Sequence, residues 1–384
     1  CPSEKHYVFD SFAAYGRLRM MLAMLHGNLD YSPRVLEAIY ACQLCGACDV
    51  GCKRNLDLEI EGALEALRIK AVQDGYGPMP EHKEVAEKIE ASHNYFGAPH
   101  DKRARWLPAE AVDVKADVAY FVGCEAAYTH PQIAQSTAKI LQAAGAPFTV
   151  MSDEWCCGYP LYHTGQLEAA KKVAQHNLEV MKATGASTVL TSCAECYRTL
   201  KVDYPKIFNK STSDLGFQVV HLAEYADGLI KEGALKLTKP VPLSVAYHDS
   251  CNLARRSEPW TYWEGERLKY GIVSPTPPAR RRGTYGVYQQ PRDILNSIPG
   301  LELREPVRMR ENAWCSGAGG GVREAFKDFA LSCAMDLLEE VDTTGAEAIV
   351  TTCPRAEENL RDALKKNGWK TQVFDLAEVI AQAI

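Results

Sequence analysis

Three features are missing from this 384-residue sequence, and each absence excludes a class of protein. No run of about 18 consecutive apolar residues is present, so we expect no membrane-spanning helix. Basic residues are not in excess, because 43 Lys and Arg stand against 49 Asp and Glu, and this balance argues against nucleic-acid binding. No secretory signal pattern is found either. We therefore expect a cytoplasmic protein that neither inserts into membranes nor binds nucleic acid.

Cysteine, in contrast, is abundant, with 14 residues. The cysteines are clustered rather than scattered, at positions 1, 42, 45, 48, 52, 124, 156, 157, 193, 196, 251, 315, 333 and 353. In a reducing compartment, clustered cysteines indicate metal or redox chemistry more often than disulfides.

The first cluster lies in the stretch ACQLCGACDVGCKRN, which contains Cys42, Cys45, Cys48 and Cys52. The C-x₂-C-x₂-C-x₃-C spacing is that of bacterial ferredoxins, in which three cysteines bind one [4Fe–4S] cubane and the fourth binds another cluster. Zinc is the alternative, but zinc sites usually combine two separated pairs of cysteines. The run therefore predicts iron–sulfur ligation.

Cys1 is followed by Pro2, as is the last cysteine of a ferredoxin run. We interpret it as the end of an upstream run, so that Cys1, Cys42, Cys45 and Cys48 hold one cubane. Cys52 then serves a second cubane whose other ligands lie upstream. Alternatively, the cysteines from 42 to 52 share one cluster and Cys1 is no ligand. The surrounding helical periodicity predicts a mostly α-helical ferredoxin-type domain over residues 1–105.

The rest of the sequence contains an internal repeat. ADVAYFVGC matches LSVAYHDSC, WCCGYP at 155–160 matches WCSGAG at 314–319, and TGASTVLTSCAECYRTL matches TGAEAIVTTCPRAEENL. In each copy apolar strands alternate with helices, which predicts an α/β fold with parallel strands, flanking helices and cysteines at the carboxyl ends of strands. We assign residues 106–235 to the first repeat and residues 236–384 to the second.

The first repeat has five cysteines: Cys124, Cys156, Cys157, Cys193 and Cys196. Five thiolates exceed the four ligands of a tetrahedral ion or a cubane. We therefore expect an iron–sulfur assembly in which some irons carry extra or bridging sulfur. Gly158, directly after the adjacent pair, allows the backbone to fold closely behind the thiolates.

This pattern resembles the CCG domain. Two CCG repeats after a two-cluster ferredoxin module are similar to the D-type catalytic subunit of heterodisulfide reductase, and also to the iron–sulfur subunits of glycolate and lactate oxidases. The resemblance implies that the five cysteines of the first repeat bind a noncubane [4Fe–4S] cluster. An aromatic, Arg-rich insertion at 255–292 further resembles the heterodisulfide reductase-like subunit of class II benzoyl-CoA reductase complexes.

The second repeat retains three of the five cysteine positions, Cys251, Cys315 and Cys353. Ser316 and Ala356 replace the other two. Three thiolates cannot reproduce a five-ligand site, so this second CCG site could hold a cubane with one further ligand, a zinc ion or no metal. His248 is one conceivable further ligand, although we favour a hydrogen bond from it to the loop behind the site.

Three other features are assigned from their surroundings. Cys333 lies on the apolar face of a predicted helix and is expected to be a core residue. The insertion is either an exposed loop or a docking surface, on which Arg280, Arg281 and Arg282 could meet an acidic partner or an anionic substrate. The glycines of CSGAGGGVRE follow a cysteine rather than a strand, so they predict a cluster-wrapping loop and not a dinucleotide site.

We therefore expect an iron–sulfur oxidoreductase subunit that relays electrons through several [4Fe–4S] clusters, one of them noncubane, in a cytoplasmic anaerobic complex. The specific expectation is the electron-transfer subunit of a benzoyl-CoA reductase complex, whose partners include a flavin subunit and a separate catalytic subunit. One alternative is that the chain itself reduces a heterodisulfide or related acceptor. Others are the iron–sulfur subunit of a glycolate or lactate oxidase, and a zinc-stabilised scaffold without redox chemistry.

Overall fold

The computed structural model describes residues 1–51, 59–107, 111–258, 264–275 and 283–384. In the described part before residue 108 the regular elements are helical, and the six α-helices are α1 (Pro2–Tyr7), α2 (Ala14–Leu25), α3 (Pro33–Tyr40), α4 (Ala47–Gly51), α5 (Ile60–Gln73) and α6 (Pro80–Ser92). Local chemistry explains where some of them begin. The hydroxyl of Ser32 accepts a hydrogen bond from the Val35 amide at 3.3 Å, and Pro33 occupies the first position of α3.

The first repeat forms a four-stranded parallel sheet with the strand order β2-β1-β3-β4. Its strands are β1 (Val118–Tyr120), β2 (Phe148–Val150), β3 (Thr188–Thr191) and β4 (Gln218–His221). Its helices are α7 (Cys124–Tyr128), α8 (Pro131–Ala143), α9 (Tyr159–Tyr162), α10 (Leu167–Ala183), α11 (Ala194–Arg198), α12 (Tyr204–Phe208) and α13 (Leu222–Lys231).

The second repeat forms another four-stranded parallel sheet, with the order β8-β5-β9-β10. Its strands are β5 (Ser244–Tyr247), β8 (Glu302–Leu303), β9 (Ala348–Thr351) and β10 (Gln372–Asp375), and a small antiparallel pair, β6 (Glu266–Arg267) and β7 (Val273–Ser274), lies within the insertion. Its helices are α14 (Gln289–Ser297), α15 (Val322–Ala325), α16 (Lys327–Asp342), α17 (Pro354–Asn367) and α18 (Leu376–Ala383). The predicted α/β class with parallel strands is confirmed.

The two sheets correspond strand by strand, and in both repeats cysteines follow the carboxyl ends of the two central strands. Cys124 and Cys193 follow β1 and β3, whereas Cys251 and Cys353 follow β5 and β9. The largest cluster of buried apolar residues continues from the first repeat into the second, and α8 packs on α18. Because the repeats share this core, the ends of β3 and β9 meet, and the Ala194 amide donates to the Thr352 carbonyl at 3.1 Å.

Some predicted features lie outside the described residues, namely Cys52 and the arginines at 280–282. The sequence predicts an insertion that is exposed or forms a docking surface, but its first two residues, Arg255 and Arg256, are fully buried. Of the helices within the described ranges, none combines the length and apolarity needed to cross a bilayer.

Candidate metal centres

The five cysteines of the first repeat converge on one buried cavity. Cys124 begins α7, the adjacent pair lies on the loop between β2 and α9, and the last two flank the start of α11. All five side chains line the same cavity, and each residue is at most 8% exposed. Buried cysteine thiolates are the soft donors that iron–sulfur clusters use, and five of them are one more than a cubane needs.

Within this cavity the thiols form a string of neighbours in the order Cys124, Cys156, Cys157, Cys196, Cys193. Hydrogen bonds from Cys156 and Cys196 lower the pKa of Cys157 to about 6. Hydrogen bonds from Cys196 and Cys353 hold the pKa of Cys193 well below its usual range. The same neighbouring thiols, together with burial, raise the pKa values of Cys124, Cys156 and Cys196 well above their usual range. Only part of the string is therefore ionised in the free protein, and a metal that binds thiolates displaces the remaining protons.

The spacing of these thiols is too wide for a single zinc ion. A tetrahedral zinc with bonds to sulfur of roughly 2.3 Å brings its sulfur ligands to about 3.8 Å from one another. Among the described residues, no three thiols lie within 4.8 Å of one another. The group of three possible ligands that does meet this distance is Glu65, His163 and Asp203. The cysteine arrangement therefore fits a cluster better than one ion.

Two glycines make room for the thiols. Gly158 has a φ of +88° directly after the adjacent cysteines, a conformation that residues with a Cβ rarely adopt. Gly123, before Cys124, has a φ of +77°, and a Cβ placed there would lie 3.0 Å from the Sγ of Cys196. Both positions therefore require glycine for backbone reasons, and Gly123 also for space.

A buried ion pair lies behind Cys124, and sequence reasoning did not find it. Arg103 donates to Glu154, and its guanidinium lies 3.8 Å from the Sγ of Cys124. Glu154 also accepts hydrogen bonds from the amides of Val122 and Gly123, at 2.7 and 2.9 Å. The pair thus fixes the loop after β1 and places a positive charge beside a thiolate position. Arg103 lies in a polar stretch at the end of the helical domain, where no motif marks it.

The second repeat contributes part of the wall of the five-cysteine cavity. Ala318, Gly321, Glu324 and Arg355 line it, opposite the first-repeat cysteines. Arg355 is buried and pairs with Glu125 at 3.0 Å and, more closely, with Glu324. The site is therefore built between the two repeats rather than within one of them.

The N-terminal cysteines form a second site. Cys1, Cys42, Cys45 and Cys48 line a common cavity with Pro2. The four cysteines predicted to hold one cubane are thus brought together. Cys52, which is predicted to serve a second cubane, lies outside the described residues.

Three buried arginines hold the backbone of this N-terminal cysteine loop. Arg17 donates to the carbonyl of Ala41 at 3.2 Å, Arg68 to that of Cys42 at 2.6 Å, and Arg255 to that of Cys45 at 2.6 Å. Buried guanidinium groups beside cysteine ligands favour negative charge on the site. Sequence reasoning missed all three, because each is far from the cysteines along the chain or lies in the insertion.

The glycine run of the second repeat packs against the same loop. A Cβ on Gly320 would lie 2.7 Å from the carbonyl oxygen of Cys42, and one on Gly319 would lie 3.1 Å from that of Gln43. Arg68 donates to the carbonyl of Gly320 at 2.6 Å. The run therefore serves close backbone approach between two cysteine-bearing loops.

The three cysteines of the second repeat are found at two different places. Cys315 interacts with Cys45 of the N-terminal site. The charges of Cys45, Cys251 and Cys315 all act to raise the pKa of the buried Arg255. Cys353 instead contacts Cys193 of the first repeat. The predicted second CCG ligands are thus split between the neighbouring sites.

The two residues that sequence analysis assigned to other roles behave as expected. His248 is buried and its Nε2 lies 3.2 Å from the carbonyl of Trp314, directly before Cys315. Burial lowers the pKa of His248 to about 4, so the ring is neutral at physiological pH. Cys333 is fully buried among apolar residues of the core and accepts a hydrogen bond from Gln43 at 3.2 Å.

The group formed by Glu65, His163 and Asp203 is an ion network, although its geometry could hold a metal ion. Arg198 pairs with both carboxylates, at 2.8 and 3.2 Å, and Lys206 pairs with Glu65 at 2.8 Å. Cations of the protein already neutralise these carboxylates. The network joins α5 to the first repeat and holds the N-terminal helices on the cysteine-bearing loops.

Comparison with known proteins agrees with this architecture. A family model described as a cysteine-rich domain, CCG, matches residues 118–201 and 279–360. The fold and the grouped thiols thus define a protein of the paired cysteine-rich class.

The D-type subunit of the dihydromethanophenazine:CoB–CoM heterodisulfide reductase from Methanosarcina acetivorans is 34% identical over 357 residues, which cover 91% of this chain and 78% of the relative. The B-type subunit of the fumarate reductase (CoM/CoB) from Methanothermobacter marburgensis is 28% identical, with 91% of this chain and 62% of the relative covered. The chain belongs to the family of D-type iron–sulfur proteins of heterodisulfide reductase, and it is part of an oxidoreductase.

One solved structure has a similar fold. It is the crystal structure of a hypothetical protein from Helicobacter pylori, with a TM-score of 0.52 and 14% sequence identity, covering 85% of this chain and 58% of that one. At this identity the likeness concerns the fold alone.

Proposed function

We propose that this chain relays single electrons from the N-terminal cysteine site to the five-cysteine site, as one subunit of a larger complex. Iron–sulfur clusters supply one-electron carriers when they are bound. The chain's own residues bring the two sites together and adjust the charge around them. The observation that carries this proposal is that the glycine run of the second repeat lies close to both cysteine sites.

Gly319, in this run, lies close to the N-terminal loop and also to a residue of the five-cysteine cavity. A Cβ on Gly319 would lie 3.1 Å from the carbonyl oxygen of Gln43 and 3.3 Å from the hydroxyl oxygen of Tyr159. Gln43 lies between ligand positions of the N-terminal site, and Tyr159 lines the five-cysteine cavity. Since little more than one backbone segment separates the loops, groups held by them would be close neighbours, as a relay requires.

The proposed cofactors follow from the two donor sets. Cys1, Cys42, Cys45 and Cys48 would hold a cubane, and Cys52 would serve a second cubane. The five cysteines of the first repeat would hold a noncubane [4Fe–4S] cluster. The shared cavity of the four N-terminal cysteines and the string of five thiols support these assignments.

The cluster assignment can be tested on anaerobically purified protein. Cys157→Ser should abolish or convert one paramagnetic signal and leave the N-terminal signals intact, because Cys157 is central in the string of thiols. Cys333→Ala is the matched control, since it removes a buried thiol that lines neither cavity, and the signal of the five-cysteine site should persist. Survival of every signal in Cys157→Ser, or a protein that contains zinc without iron and acid-labile sulfide, would contradict the proposal.

Within this class, we propose a cytoplasmic anaerobic complex of the benzoyl-CoA reductase type, with a flavin subunit and a separate catalytic subunit as partners. The resemblance of the insertion supports it. The test is the composition of the complex that co-purifies with the chain. A flavin subunit and a separate tungsten-containing subunit are expected, and their absence would contradict this context.

A second candidate function is direct reduction of a disulfide, which the reaction named for the 34% identical relative favours. Against it, the second repeat lacks two of five thiols, so the chain offers one complete site rather than a pair. Reduced protein would be mixed with a disulfide in the absence of any partner. Oxidation of the clusters with stoichiometric thiol release would favour this candidate over a relay. A chain that only relays electrons needs a partner subunit to reduce the disulfide, and none is present in this experiment.

A further inference from the structure

The order of the thiols in the first repeat explains what the substitutions in the second repeat do. In the string Cys124, Cys156, Cys157, Cys196, Cys193, the third and fourth members are neighbours, and they separate the first two members from the last one. Ser316 and Ala356 occupy these same central positions of the second repeat. The loss therefore removes the middle of a potential site and leaves cysteines at its two ends.

One end faces the five-cysteine site. Cys353 is 3% exposed and its thiol contacts that of Cys193. The backbone supports this contact, because the Ala194 amide donates to the carbonyl of Thr352, the residue before Cys353, at 3.1 Å. Arg355, two residues after Cys353, lines the five-cysteine cavity. Cys353 is thus a sixth thiol next to the first-repeat set.

The other end faces the N-terminal site. Cys315 and Cys45 line one cavity together with Cys1. Arg255 connects their loops, since its guanidinium donates to the carbonyl of Cys45 at 2.6 Å and to that of Ala313 at 2.7 Å. Cys251 lies four residues before this arginine, and its charged neighbours are Arg255, Arg256, Cys45 and Glu61.

We propose that the second repeat holds no cluster of its own and that its cysteines serve the two neighbouring sites: Cys353 belongs to the five-cysteine site, and Cys315, with Cys251, belongs to the N-terminal cubane site. This proposal rests on the proposed presence of clusters at those sites. A thiol beside a ligating sulfur alters the potential of a cluster through hydrogen bonding and ligand exchange. The degenerate repeat would then adjust two clusters instead of binding a third.

The experiment compares Cys353→Ala with Cys315→Ala in the purified complex, using iron content, paramagnetic resonance and potentiometric titration. Cys353→Ala should change the signal and midpoint potential of the five-cysteine site alone, which is identified as the signal lost in Cys157→Ser. Cys315→Ala should change the N-terminal signal alone. Ser316→Ala is the matched control, because it removes a side-chain oxygen from the gap between the two ends, and it should change neither signal.

A single shared effect would overturn the proposal. If Cys353→Ala and Cys315→Ala both lose the same signal and about four irons, the second repeat binds its own cluster. Unchanged signals and potentials in both variants would also overturn it. Cys353→Ser and Cys315→Ser, which keep the side-chain size, replace any alanine variant that does not fold. If Cys157→Ser leaves every signal intact, the proposed five-cysteine cluster itself fails, whatever the second-repeat variants show.

Discussion

The two repeats have the same sheet but different cavities. Both place four parallel strands in corresponding order, and both place cysteines after the central strands. The first repeat gathers five thiols in one cavity, whereas the second directs its three towards two neighbours. The fold therefore does not depend on a complete set of cysteines, because its stability comes from buried strands such as β9, all four residues of which are buried.

The largest effect is expected from restoring the missing thiols. Ser316→Cys combined with Ala356→Cys recreates the central members of the string between Cys315 and Cys353. We expect the double variant to gain a further cluster of about four irons. Iron and sulfide determination on anaerobically reconstituted protein measures the gain. Each single substitution is the control, since it supplies only the four thiols that a cubane uses. The paramagnetic signal of the five-cysteine type should therefore appear in the double variant alone, and the same signal in a single variant would contradict the five-thiol requirement.

The next largest difference is expected between the glycines that follow the cysteines of the two repeats. Gly158 and Gly317 have φ values of +88° and +85°, but a Cβ on Gly158 has its nearest neighbour at 3.8 Å, whereas one on Gly317 would lie 2.3 Å from the carbonyl oxygen of Ala330. Gly158→Ala should lower the free energy of unfolding by about 1–2 kcal/mol, the cost of the left-handed backbone. Gly317→Ala should lower it by about 3 kcal/mol or more, since steric overlap is added.

Urea unfolding under anaerobic conditions, followed by circular dichroism, gives both values for the glycine variants. The comparison is independent of cofactor chemistry if the apoprotein is measured alongside the loaded protein. Equal destabilisation of the two variants would show that the tighter packing around Gly317 is relaxed at no cost.

The smallest effect concerns pH and the residues that cap the last helix of each repeat. His221 accepts from the Ala223 amide at 3.1 Å, and Asp375 accepts from the Ala377 amide at 2.8 Å. Burial lowers the pKa of His221 to about 4 and raises the pKa of Asp375 well above its usual range. On acidification His221 binds a proton near pH 6.5 in the unfolded chain but only near pH 4 in the folded chain. The stability that neutral His221 confers is therefore present above about pH 6.5 and is lost as the pH falls towards 4.

His221→Asn should remove this acid sensitivity, because asparagine keeps a capping oxygen and does not titrate. Between about pH 7.5 and about pH 5, the free energy of unfolding of the native sequence should fall by roughly 2 kcal/mol more than that of the variant. Asp375→Asn is the control. Because burial raises the pKa of Asp375, this carboxyl weakens the fold as the pH rises, so its removal should leave the loss of stability on acidification in place. Parallel pH profiles for the native sequence and His221→Asn would contradict the assignment.

The sequence predicted the parts of the molecule that local patterns encode. The alternation of strands and helices was readable because periodicity depends on neighbouring residues, and the glycine after the adjacent cysteines was readable because its backbone role is local. The grouping of Cys124 with the pairs after β2 and β3 followed from the rule that parallel strands end at one edge of a sheet.

Other contacts could not be predicted, because they join residues that are far apart along the chain. The guanidinium of Arg103 beside Cys124, and that of Arg255 on the carbonyl of Cys45, depend on how the helices and repeats pack. An arginine in a polar stretch carries no sign that it will be buried, and buried arginines are uncommon unless paired. Burial of Arg255 also corrects the view that the whole insertion lies on the surface.

Sequence alone thus determined which residues carry the chemistry and on which strand ends they lie, because thiol identity and strand periodicity are local properties. Only the tertiary structure decided which thiols become neighbours. The three cysteines of the second repeat look like one incomplete set along the chain. The shared core brings Cys353 to Cys193, and the packing of the N-terminal helices brings Cys45 to Cys315. Proximity across such distances is set by packing, which no spacing within a motif encodes.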